Sequence, residues 1–89
     1  MKAIVTVLGR DQVGIIADVC ATLAEYQVNI LDISQTIMQE YFTMIMLVDI
    51  DALKIPFTNF VDKMSALGKE SGLVIQTMHE DIFNSMHKI

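Results

Sequence analysis

Tryptophan is absent from this 89-residue chain, and cysteine and proline occur once each, as Cys20 and Pro56. A lone cysteine excludes an intramolecular disulfide framework, and nothing in its use asks for an oxidising compartment. Cys20 falls inside an apolar helical pattern, where cysteine packs as a small hydrophobe. Basic residues are scarce as well: 6 Lys and Arg stand against 11 Asp and Glu, a net charge of −5, with no basic cluster. The electrostatic attraction that dominates nucleic-acid binding would have the wrong sign, so no nucleic-acid partner is expected. Apolar runs are short. The longest, residues 42–48, is interrupted by Thr43 and ends at Asp49, far below the roughly 18 to 20 residues of a membrane-spanning helix. Met1-Lys2-Ala3 leads straight into an alternating segment instead of a signal-peptide core. The expectation is a cytoplasmic protein with no membrane partner.

What is abundant is apolar surface. Hydrophobic residues make up 53% of the chain and the mean hydropathy is +0.47, high for a length that supports only one independently stable core. One domain is expected over residues 1–89, with 80–89 as a tail. Part of its apolar surface must be hidden by something other than the chain itself.

The spacing of the apolar residues predicts the elements. Residues 2–8 alternate Ala3, Val5, Val7 against Ile4, Thr6, Leu8, a strand with both faces largely apolar. From Val13 the period changes to Val13, Ile16, Cys20, Leu23, flanked by Ala17, Ala24 and Gln27, which predicts an amphipathic helix with Asp11 at its N-cap. Residues 28–38 return to strand chemistry, Gln39-Glu40 connects, and residues 41–50 form an antiparallel hairpin partner. Pro56 suits the first turn of a second helix carrying Phe57, Phe60, Val61, Met64 and Leu67, with Gly68 and Gly72 as places to stop. A fourth strand follows over 73–79. Residues 80–89 read as a short helical tail, acidic at its start and with His87-Lys88 at its end.

The order β-α-β-β-α-β plus a tail is that of an α+β, ferredoxin-like sandwich: a four-stranded antiparallel sheet with two helices on one face. Two helices cover one face only, yet the first and third strands are apolar on both. Burying such surface is worth about 25 cal/mol per Å², so a partner, most simply a second copy of the chain, is expected on the open face or at a sheet edge. Adjacent Met44 and Ile45 point to opposite faces, and both faces are expected to be buried.

Catalytic chemistry is thinly represented. There is no Ser-His-Asp set at a familiar spacing and no Gly-x-x-x-x-Gly-Lys phosphate loop. His79 and His87 are not the one-face pair that helical metal sites use. No catalytic residue, metal or cofactor is expected. The informative segment is 8–17, where Gly14 occupies the first turn of the predicted helix. A residue without a Cβ there lets a ligand carboxylate approach the N–H groups of the helix N-terminus, or lets the helix pack closely on a strand; the residues alone leave both readings open.

The run Val7-Leu8-Gly9-Arg10-Asp11-Gln12-Val13-Gly14-Ile15-Ile16-Ala17, followed by Val28-Asn29-Ile30-Leu31-Asp32-Ile33-Ser34-Gln35, resembles the ACT-domain signature. The likeness covers nearly the whole chain. With its ending Glu80-Asp81-Ile82-Phe83-Asn84-Ser85-Met86-His87, the chain is similar to small bacterial and archaeal proteins that consist of one ACT domain and little else, and more distantly to ACT-containing regulators of glycine cleavage. The resemblance implies a module that forms a homodimer or higher oligomer and binds a small molecule, an amino acid, at the interface near the first loop. It implies polar contact from Asp11, backbone N–H groups from Val13 and Ile15, close approach at Gly14, a ligand contact from Asn29 of the adjoining subunit, and a packing wall from Ile30. For Asp11 a helix cap, and for Asn29 a turn or strand-entry hydrogen bond, are alternatives. Two other functions compete: a ligand-free adaptor whose tail docks on a protein, and an acylphosphatase, which shares the order of elements but would need an arginine near Asp18.

Overall fold

The computed structural model describes residues 1–10 and 14–86, in the order β1 (Lys2–Arg10), α1 (Ile15–Glu25), β2 (Asn29–Met38), β3 (Tyr41–Asp49), α2 (Phe57–Ser71), β4 (Val74–His79) and α3 (Glu80–Met86). The four strands form one antiparallel sheet in the order β2-β3-β1-β4. The ferredoxin-like architecture expected from the sequence is therefore the one adopted.

Odd-numbered Ala3, Val5 and Val7 of β1 share the buried face with Phe42, Met44, Met46 and Val48 of β3 and Ile75 of β4. The helices lay Val19 and Leu23 of α1 and Phe60 and Met64 of α2 on these strands. Tyr26 meets Phe60 edge to face, the ring centroids 6.1 Å apart, a favourable aromatic arrangement.

Three local expectations are corrected. The buried stripe of α1 is Ile15, Val19 and Leu23, with Ile16 and Cys20 outside it; Val13, expected to open the stripe, lies outside the described residues. Both sets have helical spacing, but the helix begins at Ile15, which turns Ile16 out to solvent. Pro56 is the N-cap of α2, outside its first turn, and its carbonyl accepts the N–H groups of Asn59 and Phe60 at 3.0 and 3.1 Å. Gly68 does not stop α2, which runs on to Ser71 and ends at Gly72. Gly68 lies where the helix crosses β4: a Cβ there would stand 2.9 Å from the Leu73 carbonyl oxygen and 3.1 Å from the Ile75 nitrogen. Its lack of a side chain allows the close approach.

The face opposite α1 and α2 is built in rows across the sheet: Asp32, Leu47, Ile4 and Met78; then Ser34, Ile45, Thr6 and Gln76; then Thr36, Thr43, Leu8 and Val74; then Met38, Tyr41 and Arg10. The chain covers part of this face itself, because α3 packs back on β1 and β4. Phe83 of α3 bounds a groove with Ile4, Asp32, Ile33, Ser34, Ile45 and Leu47, and Ile4 is buried. Beyond α3 the cover stops: Leu8 is 47% and Val74 55% exposed. The helical tail expected over 80–89 is present as α3; residues 87–89 lie outside those described.

Candidate functional site at the start of α1

Gly14 is the N-cap of α1, with φ +87° and ψ 0°, and among the described residues no side chain caps the helix. Its carbonyl accepts the Asp18 N–H at 2.9 Å, which closes the first turn. An L-residue pays about 1 to 2 kcal/mol in this left-handed region, so glycine is there for its backbone. Among the described residues nothing stands within 4 Å of where a Cβ would be, so no described strand packs against Gly14 at that point. Ile15 is buried in the core and anchors the start of α1. The following N–H groups form the positive end of the helix dipole, a setting that favours a carboxylate.

The N-cap position falls on Gly14, three residues after Asp11, where the sequence pattern places it. Asp11 and Val13 lie outside the described residues. Gly9, just ahead of them, faces the helical layer and is overlain by Leu73, whose Cδ2 would be 2.5 Å from an added Cβ. The entry to the loop is thus filled by a side chain from just ahead of β4.

Asn29 and Ile30 sit elsewhere. Asn29 opens β2 and pairs in register with Asp49, which itself pairs with Lys2. At the other end of the sheet Arg10 pairs with Tyr41, which pairs with Met38. The loop into α1 leaves from the Arg10 end and Asn29 lies at the Lys2 end, so the 11 residues of α1, about 16 Å of helix, separate the two. Asn29 is exposed, whereas Ile30 is half-buried against the core. At the Asn29 end the N-terminal ammonium donates a hydrogen bond to Asp51 and lies 3.9 Å from Asp49. The Asp51 hydrogen bond raises the ammonium pKa above its ordinary value.

Between these ends β2 is an edge strand with a register shift between Ile30 and Asp32. Ile33 and Ile37 share the helix-covered side of the sheet, in register with Met46 and Phe42, yet both are exposed. The sequence marks these positions as apolar but gives no sign that they lie uncovered. Among the described residues no group of three or more His, Cys, Asp or Glu side chains could hold a metal, and no helix is long and apolar enough to cross a membrane.

A βαββαβ module whose first helix begins at a left-handed glycine is the class that fold and site define. The ACT domain family model matches residues 2–78. The chain belongs to the ACT domain family. It is 54% identical over 89 residues to a UPF0237 protein of Clostridium acetobutylicum, the match covering 100% of both chains. It is also similar to an ACT domain protein from Streptococcus pneumoniae, with a TM-score of 0.82, 43% identity and 93% of each chain covered. A protein assigned as a glycine cleavage system transcriptional repressor shares the fold, with a TM-score of 0.73 and 22% identity over 89% of this chain and 47% of its own. The acylphosphatase alternative, which rests on the order of elements and on a first loop, Gly9-Arg10-Asp11-Gln12-Val13-Gly14, similar to that family's, gains no support from these likenesses.

Proposed function

We propose that the chain is a non-catalytic regulatory module that binds an amino acid between two copies of itself, with the α1 N-terminus of one copy and Asn29 of the other meeting the ligand. The observation that carries this reading is the bare edge of β2, with Gly14 and Asn29 at opposite ends of the sheet in the same chain. Antiparallel pairing of β2 with β2 of a second copy sets the Asn29 end of one strand beside the Met38 end of the other. The start of α1 lies at that same Met38 end. Two equivalent sites arise about the two-fold axis, and Ile33 and Ile37 gain cover. The ligand carboxylate accepts from the N–H groups at the start of α1, Asn29 fixes its polar groups, and Asp11, Val13, Ile15 and Ile30 surround it. A ligand bridging two chains stabilises the paired state over other arrangements, which is the basis of a regulatory response.

The test is a thermal-shift screen of the twenty common amino acids on the wild type, Asn29→Ala and Gly14→Asn. Asparagine tolerates a positive φ, so Gly14→Asn keeps the backbone while its side chain enters the space beside Gly14. The valine that a first-turn position would accept is strained at φ +87° and cannot separate lost binding from lost folding. One amino acid is expected to raise the wild-type midpoint and to act weakly on both variants. A hit that raises all three equally, or no hit at all, leaves the ligand-free adaptor as the better reading.

A further inference from the structure

The uncovered half of the open sheet face matches the outer side of α3 in size, polarity and charge, and we infer that this face is a second contact between copies of the chain, in which the α3 helices of two protomers lie side by side between their sheets.

Four rows about 7 Å apart span about 20 Å along the strands, and one helix about 10 Å across covers half of that. α3 starts directly after His79, at the Ala3 end of the sheet, and Phe83 reaches residues of β1, β2 and β3. It therefore crosses the strands over the first two rows. Its seven residues, about 10 Å of helix, fit within a four-stranded sheet about 14 Å wide. Ile82 and Met86, one turn apart on α3, are 56% and 65% exposed.

A two-fold axis lying between the sheets, along the rows, turns the first row of one protomer toward the last row of the other. Two helices then fill one layer. Each α3 covers rows one and two of its own sheet and rows three and four of the partner's, where Leu8, Val74 and Tyr41 are exposed. The same axis keeps the β4-to-β2 order of the rows, so the acidic start of α3, Glu80 and Asp81, comes over the partner's β4 and β1. There the third and fourth rows carry Val74 and Arg10. Arg10 is the one charged side chain on those two rows, with Glu40 in the turn beyond them. Among the described residues α3 carries acidic side chains and no basic one. The surface is complementary to itself, as a two-fold contact requires.

This contact is separate from the β2 edge on which the proposed ligand site rests, and its axis is perpendicular to the edge axis. Used together, the two close a tetramer. The experiment is native mass spectrometry with sedimentation at micromolar concentration on the wild type, Val74→Asp, Arg10→Glu, Arg10→Glu/Asp81→Arg and the edge variant Ile37→Lys. The wild type is expected at the mass of four 10.0 kDa chains. Val74→Asp and Arg10→Glu should fall to two, the charge-swapped double variant should return to four, and Ile37→Lys should fall to two by losing the other contact. A wild-type dimer that Val74→Asp splits and Ile37→Lys leaves whole retains this inference and removes the edge reading. A dimer that Ile37→Lys splits and Val74→Asp leaves whole overturns the inference, as does a monomer. Loss of mass in Val74→Asp without loss in Arg10→Glu overturns the placing of α3.

Discussion

Both faces of the sheet carry large apolar side chains, and they are treated in opposite ways. On one, Val5, Val7, Met44, Met46 and Val48 vanish under α1 and α2. On the other, a seven-residue helix hides Ile4 but leaves Ile45 at 41% exposure, with Leu8 and Val74 barer still. Apolar content does not tell a core from a contact surface; cover does. The difference matters because the first face holds the chain folded, whereas exposed aliphatic rows gain their stabilisation only when another surface excludes the water.

Neighbouring residues on one strand give the sharpest way to break this comparison. Met44→Asp puts a carboxylate with no partner into the core, and the chain is expected not to fold, read as loss of a cooperative urea transition. Met44→Ala, which leaves a cavity, should cost about 2 to 5 kcal/mol in the same transition. Ile45→Lys, one residue on, should fold with a normal circular dichroism spectrum but associate more weakly, so that its midpoint no longer depends on protein concentration. If Ile45→Lys unfolds the chain as Met44→Asp does, the two faces are not distinct.

Smaller effects are expected where backbone approach sets the layers. Gly68→Ala should gain up to about 1 kcal/mol in helix propensity and lose roughly 1 to 3 kcal/mol by overpacking against Leu73 and Ile75. A net loss of stability, measured by urea denaturation, is the expected result; a gain would mean that α2 sits less tightly on β4. Smaller still, Gly14→Ala should cost about 1 kcal/mol through its positive φ, and Gly14→Asn less. Equal costs for the two would argue against the left-handed N-cap.

Much of the site was hidden from sequence reasoning for reasons visible in single residues. Asn29 and Gly14 stand out in sequence, but that they lie at opposite ends of the sheet depends on the pairing of β2 with β3. No pattern within β2 encodes the exposure of Ile33 and Ile37. Leu73 fills the space over Gly9 because β4 lies beside β1, a neighbour far away in the chain.

By itself the sequence determined the order of elements and most of the turns between them. Alternation along β1 and β3, the polar pair Gln39-Glu40 in the hairpin turn, Pro56 ahead of α2 and Gly72 behind it are local signals, legible because turns and caps are satisfied within a few residues. The tertiary structure decided which apolar side becomes the core. With both parities of β1 and β3 apolar, period-two alternation carries no choice between them. β1 and β2 both run antiparallel to β3 and so parallel to each other, and the right-handed crossover through α1 places the helices over the odd-numbered residues of β1. The same crossover fixed the rotation of α1, burying Ile15 and Val19 where spacing alone allowed Ile16 and Cys20. It also left the even-numbered face to α3 and whatever covers the rest.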